Sequence, residues 1–161
     1  MVLVGLQVLI LNRIDITPYT NAYIYVLFIL MLPVNINRVM LLVVSMLIGL
    51  VIDIFSNTPG MHSTASLVIA FIRPGLLNIL VPRENFDSTI KLSWIGMGSA
   101  KFMVYAAVII TLHHLILFSI ESYLTLPFFS LLLRVIACSV CTLFLVVLSQ
   151  FLMSNRKGLK A

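Results

Sequence analysis

Apolar residues fall along this chain in continuous runs of helix length, without the period-two alternation of a membrane β-barrel. The runs predict six helices, at residues 1–11, 19–34, 39–55, 63–72, 102–120 and 131–153. The first would rise only about 15 Å over its apolar part, half of a hydrocarbon core roughly 30 Å thick. Pro33 and "NINR" at 35–38 end the second. "RPG" at 73–75 breaks the fourth ahead of another apolar piece, 76–81. That piece reads as interfacial or as a kinked helix end, because Arg73 at mid-membrane would be costly; its guanidinium is expected to reach phosphate head groups instead. The substantial polar loop is "PRENFDSTIKLSW". With no repeat and no linker, residues 1–161 read as one membrane domain.

Composition sharpens this picture. The chain is 61% hydrophobic and 9% charged, against roughly 25% charged in soluble domains. The fold class expected is an all-α integral membrane protein, a bundle of about six transmembrane helices. A net charge of +5 does not imply nucleic acid, since the basic residues sit at the ends of apolar runs and form no basic face interleaved with aromatics. The opening "MVLVGLQVLILN" has neither a charged leader nor a small-residue cleavage site, so a retained helix is expected.

The basic residues instead set direction. With both termini inside, Arg38, Arg73, Arg83, Lys91, Lys101, Arg156, Lys157 and Lys160 lie on the inner side, eight of the ten Lys and Arg. Arg13 and Arg134 fall outside, and the opposite orientation would reverse the bias. Asp15, Asp53 and Glu121 then lie on the outer side, together with the polar stretch "DIFSNTPGMHS" at 53–63. His113, His114 and Glu121 approach the same face, and Arg134 enters the last helix there. Asp53 and Glu121 are expected to find partners such as Arg134 or a histidine.

Chemistry is thinly signalled. His62, His113, His114, Asp53 and Glu121 are suitable zinc-ligand types, but no H-E-x-x-H spacing is present, and adjacent histidines on a helix point about 100° apart. Ser56, Ser63 and Ser66 lie near a histidine and an acid without a G-x-S-x-G elbow. Cys138 and Cys141 have redox-motif spacing in an apolar helix, where packing is the expected role. Neither a catalytic residue nor a cofactor is expected. Helix-packing stripes are clearer: Ser45, Gly49 and Asp53 recur every four residues, as do Ala137, Cys141 and Leu145. The two glycines of "GMGSA" at 96–100 are expected to relieve crowding.

"GLVIDIFSNTPGMHSTA" (49–65) resembles the central motif of the rod shape-determining membrane protein family MreD, with a Gly-Leu pair, an Asp, then Ser, Pro-Gly and His followed by small residues. "QVLILNRI" (7–14), "FIRPGLLNILVPREN" (71–85) and "HHLILFSIE" (113–121) extend the likeness, in the style of members from the Bacteroidota. The resemblance implies a non-enzymatic, multi-pass subunit of the bacterial inner membrane. It would bind the single-span protein MreC and through it join cytoskeletal MreB to the peptidoglycan synthases of the cell-elongation machinery. It further implies a fold similar to the substrate-binding S components of vitamin transporters, and motif positions at Asp53, Pro59, Gly60 and His62. The chain departs from the family in its short start before Gln7 and in Thr64, where many relatives have Ala. Pro59-Gly60 favours a tight turn, so "DIFSNTPGMHS" is expected to be a rigid return loop that fixes two helices against each other. A small-molecule-binding transporter subunit with an outer pocket is the alternative.

Overall fold

The computed structural model describes residues 2–9, 21–81, 92–122 and 127–158. Among them all regular structure is helical: α1 (Val2–Leu9), α2 (Val26–Met31), α3 (Arg38–Ser56), α4 (Met61–Leu80), α5 (Trp94–Met97), α6 (Ser99–Glu121) and α7 (Phe128–Gly158). Four are long and apolar enough to cross a membrane, namely α3, α4, α6 and the Phe128–Leu152 part of α7. Their outer faces carry exposed Val, Leu, Ile and Phe side chains, as lipid contact requires.

Side-chain pairs fix the topology. Packing runs from α3 to α4, α4 to α6 and α6 to α7. Arg73 of α4 meets Tyr105 of α6 near one end, while Glu121 of α6 meets Arg134 of α7 near the other. The four long helices therefore run up and down. One end gathers the α3–α4 turn, Glu121 and Arg134, and is called the turn end. The opposite, basic end gathers Arg38, Lys101 and the close of α7.

A buried segment threads the interior between them. Its non-helical start, residues 21–25, lies level with His62, and α2 carries it to the level of Arg73. Residues 22–27 are all buried, and irregular backbone survives at that depth only if the protein satisfies its polar groups. Gln7 of α1 does so twice, accepting from the Ile24 N–H at 2.8 Å and donating to the Ala22 carbonyl at 3.1 Å. Thr142 Oγ1 accepts from the Tyr23 N–H at 3.1 Å, and Cys138 Sγ from that of Asn21 at 3.4 Å. These four contacts substitute for helical bonds, so the second element is a helix of 6 residues rather than a helix over 19–34.

The fourth helix also differs from its sequence pattern. It continues through Pro74 to Leu80, although proline withholds the N–H that would bond the Ala70 carbonyl. Arg73 is 1% exposed, so its side chain is held inside the protein and does not extend outward to head groups. Its Nε donates to Tyr105 Oη at 2.8 Å, and its Nη2 donates to the Leu32 carbonyl. Tyr105 in turn donates to the Leu30 carbonyl at 3.1 Å. Arginine and tyrosine thus close the C-terminal carbonyls of α2, where a helix leaves acceptors unfilled and favours positive charge.

Two smaller readings need correction. On α7 the buried stripe is Val135, Cys138, Ser139, Thr142, Val146 and Gln150, whereas Ala137 is exposed and Cys141 and Leu145 are half-buried. At Gly98 an added Cβ would meet open space. Its φ of 82° is what calls for glycine there, and crowding is not involved. The loop "PRENFDSTIKLSW" up to Lys91, Arg13, Asp15, Lys160 and the ends of the first predicted helix lie outside the described residues.

Candidate functional site

The α3–α4 turn is built around one carboxylate. Helix α3 ends with Asn57 in the left-handed region at φ 55°, and the Thr58 N–H returns to the Asp53 carbonyl at 3.1 Å. Thr58, Pro59, Gly60 and Met61 then form a tight turn, closed by Met61 N–H to the Thr58 carbonyl at 3.3 Å. Pro in the second position fixes one dihedral, and Gly60 at φ 83° and ψ −6° supplies the positive φ of a type II turn.

Gly60 has no side chain with which to cap α4. Asp53 does this from the preceding helix, its Oδ1 accepting from the His62 N–H at 2.8 Å and its Oδ2 from the Ser63 N–H at 3.0 Å. The Thr58 hydroxyl adds a third bond at 3.1 Å. These are the second and third amides of α4, where helices leave donors unfilled and negative charge is stabilised by the helix dipole. A 4% exposed carboxylate is thereby satisfied without a basic partner.

Gly49 permits this closeness. A Cβ there would sit 2.4 Å from Ser63 Cα and 2.7 Å from the His62 carbonyl oxygen, and backbone cannot move aside cheaply. Ser45, Gly49 and Asp53 therefore form the buried stripe along which α3 meets α4.

Behind the turn lies a buried aromatic and imidazole cluster. Tyr25 Oη stands 3.1 Å from His62 Nδ1 and 2.5 Å from His113 Nε2. The hydroxyl offers one hydrogen and two lone pairs to these rings, and the tautomers set which group donates. His113 Nδ1 has no hydrogen-bond partner among the described residues. His114 points elsewhere, its ring at 85° to that of His113. Its Nδ1 faces the Ile110 carbonyl at 2.7 Å, and Ser139 and Thr142 of α7 stand 3.4 Å from its two nitrogens. Tyr23 packs edge-on against His62 at 5.1 Å between centroids.

Glu121 and Arg134 form an ion pair of 3.0 Å at the turn end, and the guanidinium also covers the Phe118 ring at 4.3 Å. A cavity of about 180 Å³ opens between this pair and the turn, lined by Gln7, Asn21, Tyr23, Thr58, His62 and Glu121 among others. The structure thus brings His62 and His113 together through Tyr25. It keeps Asp53 on backbone amides and directs His114 toward α7. Among the described residues no group of three or more His, Cys, Asp or Glu side chains is placed to hold a metal ion.

Tyr23, Tyr25, Gln7 and Thr142 escaped the sequence reading. Their signal was polar or phenolic groups inside apolar runs, which in a membrane protein need buried partners. Comparison with protein-family models, curated proteins and solved structures finds no match to this chain.

Proposed function

We propose that this chain is a non-enzymatic scaffold of the bacterial inner membrane, an MreD-like subunit of the cell-elongation machinery. Its partner is an MreC-like single-span protein, which links it to MreB and the peptidoglycan synthases. The observation that carries this reading is the use to which the motif is put: Gly49, Asp53, Pro59 and Gly60 all act on backbone, fixing two helices at close approach. A shape-holding motif suits a protein whose task is to present a surface. The six-crossing, N-in/C-in arrangement belongs to the same proposal, with α1 and the buried 21–32 segment completing the count and the turn end facing outward.

The test is co-purification of the MreC-like partner with wild type and Asp53→Ala, insertion of both being verified by protease protection. Reduced partner yield with Asp53→Ala is expected; an unchanged yield from correctly inserted protein would remove Asp53 from the docking role. The 180 Å³ cavity with its polar wall favours one rival, a small-molecule-binding subunit resembling transporter S components. A stoichiometric metabolite in mass spectra of the purified protein would favour that rival over the scaffold.

A further inference from the structure

Among the described residues, the basic end holds a buried cation without a carboxylate. Among the described residues the acidic side chains are Asp53 and Glu121; the first is committed to α4 amides and the second to Arg134. Both lie at the turn end. Arg73, 1% exposed, gives hydrogens to a phenol and a carbonyl, and no carboxylate among the described residues pairs with its charge. A buried charge of this kind calls for an anion.

Arg73 is seven residues from the end of α4, about 10 Å below that end. A cavity of about 190 Å³ reaches it from the surface, lined by Arg38, Leu41, Arg73, Pro74 and Asn78 among others. A second cavity of about 270 Å³ shares Arg38, Leu41, Pro74 and Asn78, and continues along α3 and α4 past Leu42, Ala70 and Phe71. The first space brings Arg38 and Asn78 together with Arg73 in a wall otherwise made of apolar side chains. The second is an apolar trough on the membrane-facing side. The N-terminus of α3, which begins at Arg38, adds the positive end of a helix dipole.

We infer that this paired cavity is a binding site for one anionic phospholipid, its phosphate held between Arg38, Asn78 and the charge of Arg73, and an acyl chain lying in the α3–α4 trough. Arg73 does not extend to the head group; the head group comes to it. Free phosphate fits the first cavity but leaves the trough unused, which is why a lipid is the occupant assigned. This inference stands apart from the scaffold reading, because it uses the opposite end of the bundle.

The test uses the full chain purified in mild detergent, titrated with phosphatidylglycerol or phosphatidylcholine and read by native mass spectrometry. Wild type is expected to retain one phosphatidylglycerol in preference to phosphatidylcholine, with each guanidinium worth about fivefold. Arg38→Gln, at an exposed position, is expected to lose about fivefold of that preference while melting as wild type does. Arg73→Lys, which keeps the charge, is expected to retain the preference. Equal retention of the two lipids by wild type, or an undiminished preference in Arg38→Gln, would overturn the site. Displacement of bound lipid by inorganic phosphate at matched concentration would overturn the assignment to a lipid.

Discussion

The two ends of the bundle bury opposite charges and satisfy them by different means. At the turn end, Asp53 takes its hydrogen bonds from residues 5 to 10 positions ahead in the chain. At the basic end, Arg73 reaches a carbonyl 41 residues back and a phenol 32 residues on. The anion is held by the amides of the helix it caps, whereas the cation ties together three elements. A local cap can be read as a motif; a long-range clamp is a property of the assembled fold. The difference also separates the roles proposed for the two ends, a rigid presenting turn at one and an anion-seeking cavity at the other.

That contrast can be broken most severely at Gly49. Gly49→Ala forces a methyl group into the Ser63 backbone, and the cost should reach or exceed the upper part of the ~1–3 kcal/mol range of overpacked cores. A sharp fall in monodisperse yield and in melting temperature is expected; wild-type melting would show that the α3–α4 approach is looser than described.

Arg73→Leu comes next. It strips a donor from the Leu32 carbonyl and from Tyr105 Oη, and should destabilise by about 1–3 kcal/mol. If the clamp is long-range, α2 should lose amide protection as well as α4, which hydrogen exchange would detect. Loss confined to α4 would reduce Arg73 to a local role.

Asp53→Asn sharpens the other side of the comparison. The amide keeps an acceptor oxygen but turns its NH₂ toward an N–H of α4 and removes the charge at the helix start, so a loss of about 1 kcal/mol is expected by thermal melting. A larger loss than from Arg73→Leu would reverse the ranking of the two ends. Smallest of all, Glu121→Gln should change stability by under about 1 kcal/mol, since the carboxylate is 37% exposed and its pair with Arg134 is solvated.

How far the sequence disclosed this arrangement follows the same divide. The apolar runs marked the four long helices, because lipid demands a continuous apolar surface whatever the partners. Gly49, Asp53, Pro59 and Gly60 stood out since a turn, a cap and a close approach each leave local residue preferences. The pair of Glu121 with Arg134 was foreseeable from charge and placement near one face. What stayed hidden depended on distant partners. Residues 21–25 looked helical because Gln7, Cys138 and Thr142 are invisible as acceptors until α1 and α7 are packed. Arg73 looked interfacial because the carbonyl and the phenol that hold it lie 41 residues back and 32 residues on, and meet it only in the packed bundle. The α7 stripe was misplaced by one position because Ala137 and Cys138 are both small, and helical period alone cannot choose between them.

The central physical claim is that Asp53 fixes the α3–α4 turn by holding two amides of the following helix. Hydrogen exchange over residues 57–66 in wild type and Asp53→Ala, both in lipid bilayers, tests it directly. The account predicts that the His62 and Ser63 amides lose most of their protection in Asp53→Ala while the centre of α6 keeps its own. Equal protection of these two amides in both proteins would contradict it.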